Sequence, residues 1–217
     1  MTDNLPKECA LILSKGIAEL KLSVTEEQQL LLLQYIALLL KWNKAFNLTA
    51  VREPKAMITR HILDSLAVST YLQGDKIIDV GTGAGIPGIP LAIIFPNRHF
   101  TLMDSNGKKV RFMEQAKQSL AIGNFSPIQH RVESFKPVEE FDSVISRAFT
   151  SLEQMVDLTQ HLVNESGVMQ AMKGQAEEYT KLTEPWEVTD SISLKVPGLD
   201  EQRHLINIKR KLILKES

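Results

Sequence analysis

One cysteine, Cys9, stands in 217 residues. That scarcity excludes an intrachain disulfide and a cysteine-rich zinc site, and it suits a reducing cytoplasm. The five histidines are scattered, with no H-x-x-x-H pair, so no metal site is expected. No G-x-S-x-G elbow occurs, which argues against a serine hydrolase. Neither sign of charge dominates, with 25 Lys and Arg against 26 Asp and Glu. The chain is no polycation, and any nucleic-acid contact must rest on a local patch. Long apolar runs are also missing. The longest, Leu30–Leu40, is interrupted by Gln34 and falls short of the roughly 20 residues needed to span a bilayer. Met-Thr-Asp-Asn at the N-terminus has no basic stretch before an apolar core, so no signal peptide is expected and a cytoplasmic location is. Repeats and low-complexity segments are absent as well.

What is present is a 43% hydrophobic composition, enough for one large domain or one domain plus an extension. The chain is organised around Lys76-Ile-Ile-Asp-Val-Gly-Thr-Gly-Ala-Gly-Ile-Pro-Gly88. Ile77, Ile78 and Val80 read as a buried parallel strand, and Ile89 to Phe95 as a helix. Between them stand Gly81, Gly83, Gly85 and Gly88. Glycine is needed there because it adopts positive φ cheaply and lets a ligand approach the backbone. Pro87 is expected near the first turn of the helix. Asp79, at the strand's end, is expected to receive a ligand amine or hydroxyl. Gly83-x-Gly85-x-x-Gly88 fits a dinucleotide fingerprint. Asp79-x-Gly81-x-Gly83-x-Gly85 fits the pattern of S-adenosylmethionine (SAM) enzymes equally well.

Residues 1–74 read as a helical N-terminal extension, ahead of a cofactor-binding domain over 75–217. Pro6 starts a first helix. Thr25-Glu-Glu-Gln28 is a capping box that opens a second, which runs to about Lys44. Its apolar residues go nearly all round, so packing on more than one side is expected. Glu53-Pro54 opens a third helix, ending near Gly74. Lys41, Lys44, Arg52, Lys55, Arg60 and His61 fall close together in sequence, with Trp42 and Phe46 nearby. Such a group reads either as an RNA-binding patch or as an ordinary solvated face. His61 and Asp64, three apart on one helix face, are expected to form a local hydrogen-bonded pair.

After the glycine loop, His99–Asp104 reads as a second strand. Asp104 stands about where nucleoside-binding folds place a carboxylate on ribose hydroxyls. It is equally placed to cap the helix expected over about Lys108–Ile122. That helix carries Lys109 and Arg111, which add to a basic surface. Phe125–His130 is a third strand, followed by Arg131-Val132-Glu133. At the carboxyl edge of a parallel sheet, Glu133 or the backbone at Val132 is placed to reach an adenine, or Glu133 is an ordinary surface charge. Phe141–Ile145 is a fourth strand, left through Ser146-Arg-Ala-Phe149. Arg147 there suits a carboxylate or a phosphate, or forms a structural salt bridge. A helix over about 151–163 and a strand over Gly167–Met172 follow. Trp186–Val196 and Arg203–Leu214 then read as an antiparallel pair. Five alternating β/α units closed by a hairpin predict an α/β fold: a doubly wound, mostly parallel sheet with an antiparallel edge. The residues leave two chemistries open, a SAM-dependent transferase and an NAD-dependent oxidoreductase.

The run Asp79–Ala92, Leu102-Met-Asp-Ser105 with Lys108-Lys-Val-Arg-Phe112, Ser146-Arg-Ala148 and Lys173-Gly174 resembles the bacterial small-subunit rRNA guanine-N7 methyltransferases, motif by motif and in order. Lys41–Thr49, Val51-Arg-Glu and Arg60–Ser65 match that family too. The resemblance covers about residue 25 to the end. It implies a Rossmann-like class I SAM-dependent methyltransferase with a helical extension, and no metal. It further implies methylation of N7 of a guanine in the decoding region of 16S rRNA, guanine 527. The partner would be 16S rRNA, the small ribosomal subunit or an assembly intermediate, with no membrane involved. By the same resemblance SAM contacts Gly81 and Ile86, the Val132-Glu133 turn and Arg147, with Asp104 on the ribose. Lys41, Lys44, Arg52, Arg60, Lys109 and Arg111 are the expected RNA contacts. Ala84, Met103 and Lys109 depart conservatively from the family pattern.

The residues agree with a ring-nitrogen target. Cytosine C5 methylation needs a nucleophilic cysteine, and Cys9 is far from the motifs. Amine methylation usually goes with an Asn/Asp-Pro-Pro-aromatic motif, where this chain has Ser146-Arg-Ala-Phe149. Guanine N7 already carries a lone pair, so alignment suffices and no acid or base is expected; Arg147 is the one positioning candidate. A non-catalytic rRNA-binding assembly factor that keeps SAM structurally is the alternative outside catalysis.

Overall fold

The computed structural model describes residues 5–147, 149, 151–174 and 182–211. Its seven strands are β1 (Lys76–Val80), β2 (His99–Asp104), β3 (Phe125–Gln129), β4 (Phe141–Ser146), β5 (Val163–Lys173), β6 (Trp186–Leu194) and β7 (Arg203–Arg210). They form one sheet in the order β3-β2-β1-β4-β5-β7-β6. Neighbours from β3 through β5 pair in parallel. β7 is antiparallel to both β5 and β6. The chain therefore builds outward from β1 in one direction through β2 and β3, then crosses to β4 on its other side. That reversal makes the carboxyl ends of β1 and β4 a switch point, where open α/β sheets bind ligands.

Side chains alternate across the sheet, because successive Cβ atoms of a strand point to opposite faces. Ile77, Phe100, Leu102 and Ile145 belong to one buried cluster, and Ile78, Val80, Met103 and Val144 to another. The first is covered by α1 (Lys7–Glu19), α2 (Glu26–Phe46), α5 (Gly88–Ile94) and α6 (Gly107–Ser119). The second is covered by α7 (Leu152–Thr159). Between β3 and β4 the expected α/β alternation fails. Only a 3₁₀ turn, Val132–Ser134, lies there. The connecting residues show no helical apolar period and include Pro137, which cannot donate to a helix.

The N-terminal helices share the larger core with the sheet: Leu13, Ile36, Leu39 and Ile62 cluster with Ile77, Leu102 and Phe112. Thr25 and Gln28 form the capping box, with the Gln28 amide donating to Thr25 Oγ1 at 3.2 Å and the Thr25 amide to Gln28 Oε1 at 3.0 Å. Helix α2 runs past Lys44 to Phe46 and stops at Asn47, in the left-handed conformation at φ 50°. It packs against α1, α5 and α6, as its apolar belt predicts. The third helix is not continuous. Glu53 caps α3 (Pro54–Met57), which passes into a π-helical turn (Ile58–Leu63), then α4 (Asp64–Leu66) and a 3₁₀ turn, Ser69–Tyr71. Pro87 is the N-cap residue of α5, next to its first turn as expected. Among the described residues no helix is long and apolar enough to cross a membrane. The end of the expected Arg203–Leu214 strand, from 212, lies outside the described residues.

Candidate functional site

The loop from Gly81 to Pro87 leaves β1 at the switch point. The Gly81 and Thr82 amides both donate to the Met103 carbonyl, at 2.9 and 3.1 Å, which ties the loop to β2. Gly81, Gly83 and Gly85 have φ of 70°, 66° and 87°, a region where glycine bears no Cβ penalty. Their reasons differ. A Cβ at Gly85 would run into the Ile89 side chain, whereas a Cβ at Gly83 would meet nothing within 4 Å. Gly83 thus presents bare backbone to an open side of the loop.

Asp79 lies beneath this loop, with no solvent exposure. Its Oδ2 accepts from Thr82 Oγ1 at 2.5 Å and from the Gly88 amide at 2.9 Å. The expectation that Asp79 meets a ligand therefore gives way to an internal role: it fastens the loop to the start of α5. Its Oδ1 has no hydrogen-bond partner among the described residues. Burial pushes this carboxyl up to about 7, against the opposing effect of the Thr82 and Gly88 hydrogen bonds. An acid with a raised folded-state pKa binds its proton more tightly in the native chain than in the unfolded one. The stability it contributes is full below its ordinary value near 3.8 and is lost as pH rises to about 7. Thermal denaturation of the free protein is expected to show that decline, and Asp79→Asn to flatten it. An unchanged pH profile in Asp79→Asn would dismiss the assignment. The loop is braced from above by Tyr35 of α2, whose buried hydroxyl donates to the Ala84 carbonyl at 2.8 Å.

Two clefts open side by side along the carboxyl edge. The first, of about 470 Å³, is lined by Gly81, Asp104, Lys109, Val132, Glu133 and Phe149, among others. Asp104 accepts from the Gly83 amide at 2.9 Å, the Asn106 amide at 2.9 Å and Lys109 Nζ at 3.2 Å. Capping of α6 falls to Asn106, whose side chain accepts from the Lys108 amide, and not to Asp104. Lys109 is thereby drawn into this cleft by Asp104, away from the RNA-facing role expected of it. Ile86 is buried in the larger core and lines neither cleft.

The second cleft, of about 450 Å³, shares Phe149 with the first. Arg60, His61, Asp64, Arg147, Lys173, Arg203 and His204 line it, so it mixes residues of the helical segment with the ends of β4, β5 and β7. The expected His61–Asp64 pair does not form. Asp64 accepts instead from Arg147 Nη1 at 3.0 Å and Arg203 Nε at 3.1 Å. His61 Nε2 lies 2.9 Å from Thr49 Oγ1, and its Nδ1 has no partner among the described residues. Burial, aided by the Arg147 charge, holds the His61 imidazole down to about 4, so it is neutral near pH 7 and has no charge to offer Asp64. Arg147 also donates to the Arg60 carbonyl at 3.1 Å.

The basic residues grouped in sequence take different partners. Arg60 pairs with Glu201, Lys55 with Glu8, and Arg52 donates to Asn47 Oδ1. Lys41 lines a groove between α2 and α6 with Trp42, Phe46 and Gln115. Lys44 is exposed, and Arg111 donates to the Gly107 carbonyl on the exposed side of α6. Arg203 and His204 carried no site signal in the sequence. Arg203 joins the cleft only because antiparallel pairing sets His204 opposite Lys173.

Comparison with known proteins gives a consistent result. The family model described as rRNA small subunit methyltransferase G matches residues 28–206. A ribosomal RNA small subunit methyltransferase G of Shewanella woodyi is 50% identical over 201 residues, 92% of this chain and 98% of that protein. Its namesake in Shewanella sp. strain MR-4 is 52% identical over 194 residues, 88% of this chain and 94% of that one. Among solved structures, a SAM-dependent methyltransferase from Aquifex aeolicus superposes with a TM-score of 0.53 at 11% identity, over 70% of this chain and 92% of that one. That likeness shows the Rossmann-like fold shared with such enzymes.

Proposed function

The chain belongs to the rRNA small subunit methyltransferase G family, and on that premise we propose that it methylates N7 of a guanine in the decoding region of 16S rRNA, guanine 527. The methyl donor is SAM. The observation that supports this most is the pair of clefts meeting at Phe149. One is lined by the glycine loop and two acids, the other by arginines and neutral imidazole.

The first cleft fits the donor. An ionised carboxylate offers about four lone-pair sites. Asp104 uses three on Gly83, Asn106 and Lys109, leaving one for a ribose hydroxyl. Glu133 and the Val132 backbone face the adenine end, and Gly81 with the open side of Gly83 receives the methionine end. Bound SAM supplies an electrophilic methyl on a sulfonium. Asp79, Gly85 and Ile86 shape the loop from within. The second cleft takes the guanine. Its N7 lone pair needs no base, so the residues there orient and exclude water. Arg147 lines the second cleft and holds the donor's carboxylate or a substrate phosphate. It leaves N7 free, unlike the common bidentate Arg pairing to O6 and N7.

In this reading residues 1–74 are the RNA-facing extension and 75–217 the methyltransferase part, acting in the cytoplasm on 16S rRNA, the small subunit or its assembly intermediate. Lys41, Lys44, Arg52, Arg60 and Arg111 supply cations to the RNA phosphates. The paired substitution Lys41→Ala with Arg60→Ala is expected to weaken rRNA binding several-fold and to reduce the salt slope by about one for each phosphate no longer neutralised. SAM affinity should stay unchanged. Equal RNA affinity would identify these cations as an ordinary solvated face. The deciding experiment for function is transfer of labelled methyl from SAM to small subunits or rRNA, with mapping of the modified base. Modification at guanine N7 supports the reading. Tight rRNA binding without transfer would make the chain an assembly factor instead.

A further inference from the structure

We propose that Asp64 is the positioning residue of this site: it sets Arg147 and Arg203 against each other so that neither is free to collapse onto RNA phosphate. This rests on the functional reading above. Asp64 comes from the helical segment, yet its partners come from opposite sides of β5, at the end of β4 and the start of β7. Its side chain is 2% exposed, against 33% for Arg147 and 21% for Arg203. One oxygen serves each arginine, Oδ2 to Arg147 Nη1 and Oδ1 to Arg203 Nε. A carboxylate so deeply buried needs both partners to offset its lost hydration.

The consequence for Arg147 is geometric. Its Nη1 is held by Asp64 Oδ2 and the Arg60 carbonyl, while Nε and Nη2 take no partner among the described residues. A long side chain near a sheet edge would otherwise sample many rotamers. Anchored at one nitrogen, it offers its remaining donors in a fixed plane. The arrangement continues as alternating charge: Arg203 lies 3.8 Å from Glu201, which pairs with Arg60. The cleft thus carries three arginines whose charge is partly matched from within, by Asp64 below and Glu201 at the rim. Matched arginines discriminate by shape; unmatched ones would bind any phosphate.

An ordinary structural salt bridge would affect stability alone, whereas a positioning residue separates binding from turnover. Asp64→Asn is nearly isosteric, but its amide can accept from only one arginine and turns a donor toward the other. Turnover at saturating SAM and small subunit is expected to fall about thirtyfold or more. RNA affinity should rise, with a salt slope steeper by about one. Asp64→Glu restores the charge but not the reach, so RNA affinity and slope should return to wild type while turnover stays low. Turnover of Asp64→Asn within about threefold of wild type, or RNA affinity falling together with turnover, overturns the assignment. If Asp64→Asn does not fold, Arg203→Lys serves, keeping the charge while removing the Nε donor. It should lower turnover about tenfold at unchanged RNA affinity, and wild-type turnover there overturns the assignment too. The wild-type chain is assayed alongside: no transfer by it overturns the functional reading itself, whereas transfer by it with unaffected variants overturns the role of Asp64 alone.

Discussion

Alanine at Arg147 is expected to abolish methyl transfer, lowering turnover by about a hundredfold or more, while the protein stays folded. Arg147 lines the second cleft, which meets the first at Phe149, and its Nε and Nη2 have no partner among the described residues. Its removal takes away a charge-assisted hydrogen bond to the donor or to a substrate phosphate, and such bonds fix orientation as well as affinity. The fold should survive for a specific reason. Asp64 loses the partner of one oxygen, but Arg203 still holds the other. Removing one partner of a buried carboxylate costs about 3–5 kcal/mol, so the melting point should drop while a typical total of about 5–15 kcal/mol still keeps the chain folded. Circular dichroism and a melting curve check the fold, and methyl transfer checks the site. Arg147→Lys separates charge from shape, since an ammonium keeps the charge and loses the planar fork. Wild-type turnover in Arg147→Ala would remove this residue from the site.

Valine at Gly83 is expected to block SAM binding. At φ 66° a residue with a Cβ costs about 1–2 kcal/mol, and a β-branched one is especially ill suited. Strain alone would lower stability and leave the cleft in place. The larger effect comes from direction. A Cβ at Gly83 meets nothing within 4 Å, so the added side chain enters open space that the proposed donor would use. The strain also threatens the Gly83 amide's bond to Asp104, one of the three that orient that carboxylate. A loss of affinity of about a hundredfold, about 2.8 kcal/mol, is expected. Calorimetry measures it directly. A thermal shift gives the same answer, because SAM at about 100 times its Kd should stabilise the wild type by about 2.7 kcal/mol and the variant hardly at all. Unchanged affinity in Gly83→Val would refute the proposed donor pocket.

Much of the fold was legible because it is locally encoded. The β2 limits at His99 and Asp104, the capping box at Thr25 and the antiparallel hairpin all follow from side-chain chemistry within a few residues. That Gly81 and Asp104 line one cleft was legible for the same reason: glycines after a buried strand and an acid at the end of the next strand are short-range signals. The second cleft was hidden because its contacts are long-range. Asp64 lies 83 residues from Arg147 and 139 from Arg203, so the nearer His61 looked like its natural partner. Arg147 and Arg203 occupy the Asp64 oxygens, and Thr49 engages His61 Nε2. Asp79 misled in the opposite way. An acid at a strand end reads as a ligand acceptor, and only the fold of the loop over it shows that Thr82 and Gly88 claim it first. Closeness in sequence also hid the partners of this group: Arg60 pairs with Glu201, and Arg52 donates to Asn47.

The single core joining α1 and α2 to the sheet bears on how such a chain can be re-engineered. A recognition module linked by a tether can be exchanged to redirect an enzyme, because each half keeps its own stability. Here Tyr35 of α2 reaches the Ala84 carbonyl inside the glycine loop, and Asp64 reaches arginines on two strands. Cutting near residue 74 would strip apolar cover from β1 and β2 and uncouple both clefts at once. Grafting a different helical segment would mean redesigning the catalytic half to receive it. On the function proposed above, target choice is inherited with the fold and is not a detachable part.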